Sequence, residues 1–435
     1  MDTGEDLHGW ASDLFPISRS LSGSGVRETL TYLQALVPTM ERHTVCSGTQ
    51  ALDWVVPDEW NIADAHISDL DGNRLVDFKL NNLHVMGYSE PVNAVMTRSE
   101  LEPHLFSLAE QPHAIPYVTS YYARSWGFCI AHDQRLSLGQ GPFRVVIDAT
   151  LEPGFLDYAD VVIQGDTSDE VLLSTYICHP SMANNELSGP VVAAAIARWL
   201  ISLPVRRYTY RLLFAPETIG SLIYLNQHLL HLQTHVKAGW VLTCLGDNQD
   251  YSYLPSRLGG TLADRVSLDV LNRISGRFSQ YSFLQRGSDE RQWCSPGADL
   301  PVCSVMRTKY GEYPEYHTSL DDLNFVTAEG LQGGFDVIKE CIITVESNSI
   351  WCSRIPGEPQ LGRRGLYPTT SIKGGASPTR AMMNVLAYCD GSHDLLDIAR
   401  ITGLPFPTVV DLIGQLAQAD VVFDCLDSRQ RRDSE

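Results

Sequence analysis

Between residues 170 and 347 the apolar positions fall into two kinds of run. Short unbroken runs occupy 171–178, 208–214, 238–245 and 301–307. Runs of that length suit strands buried on both faces, as in a parallel sheet. Longer stretches with helical spacing follow them, at 187–202, 219–232, 261–275 and 327–347. Strands alternating with helices of this length predict an α/β fold, a mixed or mostly parallel sheet with helices on both faces. Earlier, Val26 to Leu36 sets Leu30, Leu33 and Leu36 on one side of a helix. This pattern predicts an entry helix that packs on the later core.

The pattern changes between Asp53 and Gly141, where brief apolar or alternating runs are broken by turns. Asp71-Gly72-Asn73 between two such runs is a hairpin signal. A small, mainly β domain inserted at 53–141 is expected, interrupting a core made of 1–52 and 142–352. Pro and Gly crowd 353–376 and mark a linker. Three helical stretches with a tight Gly turn, then Val421-Val422-Phe423, predict a winged-helix-like domain over 377–428. Its third helix, Phe406 to Gln418, has no Lys or Arg and one Asp, so it lacks phosphate anchors. A packing or homo-oligomerisation module is expected there instead.

Charge points the same way. A formal net charge of −20 over 435 residues repels polyanions, so no nucleic-acid partner is expected. Without an apolar stretch long enough to span a bilayer, no membrane partner is expected either. Asp2, Glu5 and Asp6 at the start do not resemble a secretory signal. The 10 cysteines contain no Cys-x-x-Cys pair, and buried free thiols are the expectation. Together these features predict a cytoplasmic protein.

The polar groups of interest sit where the strand-like runs end. His179 closes the first, followed by Asn185 and Glu186 at a helix start. Glu217 closes the second, Asp247 the third, and His317 lies in the loop after the fourth. Singly, each has an ordinary explanation; Asn184, Asn185 or Ser188, for example, would serve as a helix N-cap. Open α/β sheets converge on their ligands at these strand ends. Two imidazoles and two carboxylates there make a good ligand set for Zn²⁺.

The order of these groups resembles the co-catalytic zinc aminopeptidase and carboxypeptidase superfamily. More closely, the chain resembles a bacterial aminopeptidase-like family, often encoded among polysaccharide and natural-product biosynthesis genes. The matching phrases include Leu14-Phe-Pro-Ile-Ser-Arg-Ser20, Tyr176-Ile-Cys-His-Pro-Ser181, Asp289-Glu-Arg-Gln-Trp-Cys-Ser-Pro-Gly297 and Glu315-Tyr-His-Thr-Ser319. This resemblance implies a zinc-aminopeptidase-like core with an inserted small β domain and a C-terminal winged helix. It implies His179, Asn185, Glu217, Asp247 and His317 as the metal positions, for one or two zinc ions.

Two departures from the family pattern bear on chemistry. Asn185 stands where a bridging Asp is normal, which weakens a second metal site. Pro216 stands before Glu217 where an adjacent Glu pair is normal. If Glu217 is a ligand, the base must come from Glu290, Glu186 or Glu315; if Glu217 is the base, a ligand is missing. Arg291, Tyr310, Tyr316 and Glu186 are the candidate substrate contacts. The expected activity is metal-dependent hydrolysis of an amide or peptide bond in a small, specialised, peptide-like substrate. The alternative is a non-hydrolytic relative with a degenerate metal site.

Overall fold

The computed structural model describes residues 2–366 and 377–425. The chain divides into two compact units, residues 1–264 with 277–339, and 265–276 with 340–435.

The first unit is built on an eight-stranded mixed sheet. At its centre Glu170–Tyr176 runs parallel to Thr209–Ala215 on one side and to Val236–Val241 on the other. Both Glu170–Tyr176 and Thr209–Ala215 are buried at every position, which is why these stretches show no apolar–polar alternation. Val302–Met306 extends the parallel run beyond Val236–Val241. On the other flank Phe155–Ile163 and then Glu41–Cys46 add antiparallel strands. Register places Tyr176 opposite Ala215, so these two strands end level. That alignment brings the residues just past them, His179 and Glu217, to one place.

Helices form where the periodicity puts them, at Ser188–Ser202, Ile219–His235 and Ala328–Ser347. Gly189 starts the first closely against the sheet. A Cβ there would lie 2.2 Å from the Leu242 carbonyl oxygen and 2.4 Å from Thr175 Oγ1, so only glycine fits.

The inserted sheet has four strands, ordered Arg74–Asp77, Glu59–Ser68, Phe143–Glu152 and Val92–Met96. It therefore extends past the expected 53–141. Phe143–Glu152 pairs along nearly its whole length with Glu59–Ser68, not with the main sheet, burying Phe143, Val145, Ile147 and Ala149 on one face.

In the second unit a three-stranded sheet places Ile350–Ser353 between Asp390–Asp394 and Val422–Asp424. Helices Ser377–Leu386, Leu395–Thr402 and Phe406–Gln418 complete a winged helix. The central strand thus precedes 377, where the domain was expected to begin. Within this unit Arg265 donates to both oxygens of Asp394, at 2.9 and 2.7 Å. Cys352 and Cys425 form a disulfide, Cα to Cα 6.0 Å, correcting the expectation of free thiols at these two positions. They belong to neighbouring antiparallel strand ends, which sequence spacing does not show. Of the expected linker, 367–376 lies outside the described residues, as do 426–428 of the tail. Among the described residues no helix is long and apolar enough to cross a membrane.

Candidate active site

His179 follows the central strand and is buried. Its Nδ1 is 2.8 Å from Glu186 Oε2, while its Nε2 faces Glu217 Oε2 at 3.7 Å. Arg19, wholly buried, donates from Nε to the His179 carbonyl (3.1 Å) and from Nη1 to the Leu14 carbonyl (2.7 Å). The same Nε lies 3.9 Å from Glu186 Oε1. Burial, aided by the Arg19 charge, lowers the His179 pKa to about 3, so the ring is neutral at neutral pH. Burial pushes Glu186 up to about 8 against the pull of Arg19.

Glu217 follows the neighbouring strand. Next to it, Thr218 adopts φ 65°, ψ −71°, and Ile219 N–H donates to the Glu217 carbonyl at 2.8 Å. This is a γ-turn of the rare positive-φ kind, a strained conformation for a β-branched residue. Backbone strain of this sort persists only where its surroundings enforce it, and it concentrates at functional sites. Here Asp289 Oδ1 accepts from Thr218 N–H (2.7 Å) and Arg291 Nη2 donates to Thr218 Oγ1 (2.8 Å). Arg291 Nη2 is also 3.7 Å from Glu217 Oε1. Burial first, and then the Asp289 charge, raises Glu217 to about 8. A cavity of about 250 Å³ opens over this group, bordered by His179, Glu217, Thr218 and Arg291, with Leu21, Trp54, Tyr121 and Tyr122 among its apolar walls.

His317 comes from the loop after Val302–Met306. Its ring centre lies 5.6 Å from that of His179, and Tyr316 stacks on it at 3.9 Å. Tyr117, from the inserted region, packs against both imidazoles at 5.0 and 5.1 Å. Burial and the neighbouring His179 lower the His317 pKa to about 3. The loop is fixed by Asp321, four residues on. Its carboxylate accepts from the N–H groups of Asn184 (2.6 Å) and Asn185 (2.9 Å), and from Tyr313 Oη (3.2 Å). These amides belong to a single π turn, Ala183–Leu187, which carries Glu186. Such turns recur at functional sites.

Several expected site residues lie elsewhere. Asp247 is fully buried, and both its oxygens are taken. Asn184 Nδ2 and Thr308 N–H donate to one at 3.0 and 2.9 Å; Gln249 N–H and Thr308 Oγ1 donate to the other at 3.0 and 2.7 Å. These contacts tie several loops together. Asn185 Nδ2 donates to Tyr176 Oη (3.3 Å), which donates to Thr243 Oγ1 (2.6 Å), which donates back to the Asn185 carbonyl (2.9 Å). This ring of neutral groups offers a cation no anionic donor. Glu290 is buried, with Oε1 accepting from Gly287 N–H, Ser288 N–H and Tyr310 Oη. Glu290 and Tyr310 are thus held to each other, while Glu186 and Tyr316 contact His179 and His317. Arg19, Thr218 and Asp321 were not singled out in the sequence, although Arg19 and Asp321 lie in or beside its matching phrases.

The donors present match one cation in kind, although His179, Glu217 and His317 are not among the described groups whose donor atoms lie mutually within 4.8 Å. His179 Nε2, His317 and Glu217 would supply two neutral imidazoles and a carboxylate, a known catalytic zinc set. A tetrahedral zinc holds two imidazole centres about 5 Å apart, close to the 5.6 Å seen here. The set is open on the His317 side. Among the described residues, the donor groups lying mutually within 4.8 Å are Cys178–His179–Glu186 and Glu41–His43–Asp160. The first is no cation site, because Glu186 already holds His179 Nδ1, Arg19 stands beside it, and burial keeps the Cys178 thiol protonated.

A mixed sheet with ligand groups at level strand ends, flanked by helices, is the architecture of the zinc aminopeptidases. The zinc aminopeptidase of Bacillus subtilis superposes over 79% of this chain and 95% of its own, with TM-score 0.57 at 12% identity, which shows the shared fold. The chain belongs to the family described as "Domain of unknown function (DUF4910)", matched over residues 8–348; residues 349–424 match a winged helix-turn-helix family. A Clostridium acetobutylicum protein named "Putative polysaccharide biosynthesis protein with aminopeptidase-like domain" is 42% identical over 93% of each chain. A crystal structure from C. acetobutylicum, described as a "putative peptidase", matches with TM-score 0.91 at 39% identity, covering 97% of this chain and 96% of that one.

Proposed function

We propose that the cleft is the active site of a single-zinc amide hydrolase of aminopeptidase type, acting on a small substrate. The observation that carries this reading is the 3.7 Å approach of His179 Nε2 to Glu217 Oε2 at the floor of the cavity. The name of the Clostridium relative motivates placing the substrate in a biosynthetic pathway.

A bound zinc supplies Lewis acidity at the scissile carbonyl. His179 and His317, kept neutral by burial, would hold it. Glu186 fixes the His179 ring so that only Nε2 is presented, the role of a carboxylate behind a metal-bound histidine. Glu217 divides its work between its oxygens. Oε2, beside His179, would bind the cation; Oε1, beside Arg291, is placed to take a proton from the attacking water and pass it to the leaving nitrogen. Leu21, Trp54, Tyr121 and Tyr122 give the cavity an apolar lining for the substrate.

A non-hydrolytic reading is favoured by one feature, the neutral Asn185–Tyr176–Thr243 ring. Elemental analysis and an assay with an L-aminoacyl anilide separate the two. The hydrolase reading expects about one zinc per chain and turnover that His179→Ala abolishes. Purified zinc-free protein that takes up no zinc, or hydrolysis unchanged in His179→Ala, overturns it.

A further inference from the structure

Among the described residues, Arg291 is the one permanent cation bordering the cavity. Its side chain is 41% exposed, so it reaches the opening rather than the packed floor. One edge of the guanidinium is committed, Nη2 donating to Thr218 Oγ1 at 2.8 Å. That anchor is itself fixed, since Thr218 is locked in its strained turn by Asp289. An arginine held along one edge keeps its remaining N–H donors in a set direction, which suits paired recognition of a planar anion.

The surroundings narrow what that anion can be. Glu217 lies 3.7 Å from the guanidinium and Asp289 feels its charge, so a doubly charged phosphate meets more repulsion there than a singly charged carboxylate. The cavity, about 250 Å³, lies below the range of drug-sized ligand pockets and has space for about two residues. Trp54 and Tyr122 meet edge to face at 5.5 Å beside it, both substantially exposed, and give an apolar rim.

We infer that Arg291, positioned by Thr218, selects substrates that end in a free carboxylate one residue beyond the scissile amide, so that the preferred class is apolar dipeptide-like acids. This rests on the hydrolase reading for the scissile bond, while carboxylate recognition stands on the position of Arg291 alone.

The test compares L-leucyl-L-phenylalanine with its C-terminal amide on the full chain supplied with zinc. Hydrolysis is followed by chromatography and binding by calorimetry. A charge-assisted pair predicts roughly ten- to hundredfold better kcat/KM and Kd for the acid. Arg291→Met should remove the difference mainly through KM, and Arg291→Lys should restore part of it; a merely structural role for Arg291 would weaken acid and amide alike. Acid and amide handled equally by the wild type, or a preference that survives in Arg291→Met, overturns the inference. Arg291-dependent binding of the acid without hydrolysis upholds it while defeating the hydrolase reading. Binding of neither compound also overturns it.

Discussion

Glu186 Oε2 stands 2.8 Å from His179 Nδ1 and so decides which nitrogen of that ring faces the cavity. Both residues are buried, so water cannot replace the carboxylate. Glu186→Ala is expected to lower zinc affinity about 10- to 100-fold, the usual loss when such a partner is removed. Glu186→Gln should lose less, because its amide oxygen can still accept from Nδ1–H. Competition with a chromophoric chelator measures both, and equal affinity in all three proteins would refute the positioning role.

Arg19 is the other side of the same contact. It is buried, and removing it takes the donor from the His179 and Leu14 carbonyls and the charge from beside Glu186. Leaving a buried acceptor without its donor costs roughly 1–3 kcal/mol. Arg19→Met should therefore lower stability in urea by about that amount, and Arg19→Met with Glu186→Gln should recover part of it. Additive losses in the double variant would show that the two side chains are not coupled.

Much of this architecture is legible in the sequence, because buried parallel strands leave unbroken apolar runs and the helices between them keep their period. His179, Glu217 and His317 could be singled out since strand ends in such sheets converge. Asp247 could not be sorted from them. A carboxylate after a strand looks the same whether it ligates a cation or ties Thr308, Asn184 and Gln249 together. Arg19 and Asp321 were hidden for a related reason: their partners lie far along the chain, so local spacing carries no trace of the contacts. Phe143–Glu152 falls within the expected core range 142–352 yet pairs with Glu59–Ser68 in the inserted sheet, because alternation shows that a strand is half-buried but not which strand it pairs with.

Asp247 gives a direct way to separate a ligand from an anchor. Asp247→Asn is expected to leave zinc content unchanged and to lower stability by about 2 kcal/mol, since one amide group must replace an oxygen that accepts two N–H or O–H donors. His317→Ala should do the reverse, losing zinc with a smaller stability change. The pair is read by elemental analysis and urea unfolding. Zinc lost from Asp247→Asn with stability intact would return Asp247 to the ligand set.

The last prediction concerns acid. Glu170 is buried at the start of the central strand. Arg211 donates to its two oxygens at 2.7 and 2.9 Å, and His231 Nε2 lies 2.8 Å from Oε1. Burial alone would raise its pKa, but the Arg211 and His231 contacts outweigh burial and hold it below the ordinary value. A carboxyl group depressed in the folded state binds its proton more readily when unfolded. Its stabilisation is therefore complete above the unfolded pKa of about 4.3 and is lost as pH falls through the lower folded value. Glu170→Gln should cost about 3 kcal/mol near pH 7, where it leaves the buried Arg211 with Asp160, at 3.7 Å, as its acidic neighbour among the described residues. The gap between variant and wild type should close progressively below about pH 4, where the wild-type carboxyl is protonated too. Urea unfolding across this range measures it, and a gap as large in acid as at neutrality would show that Glu170 acts through packing and not through its charge.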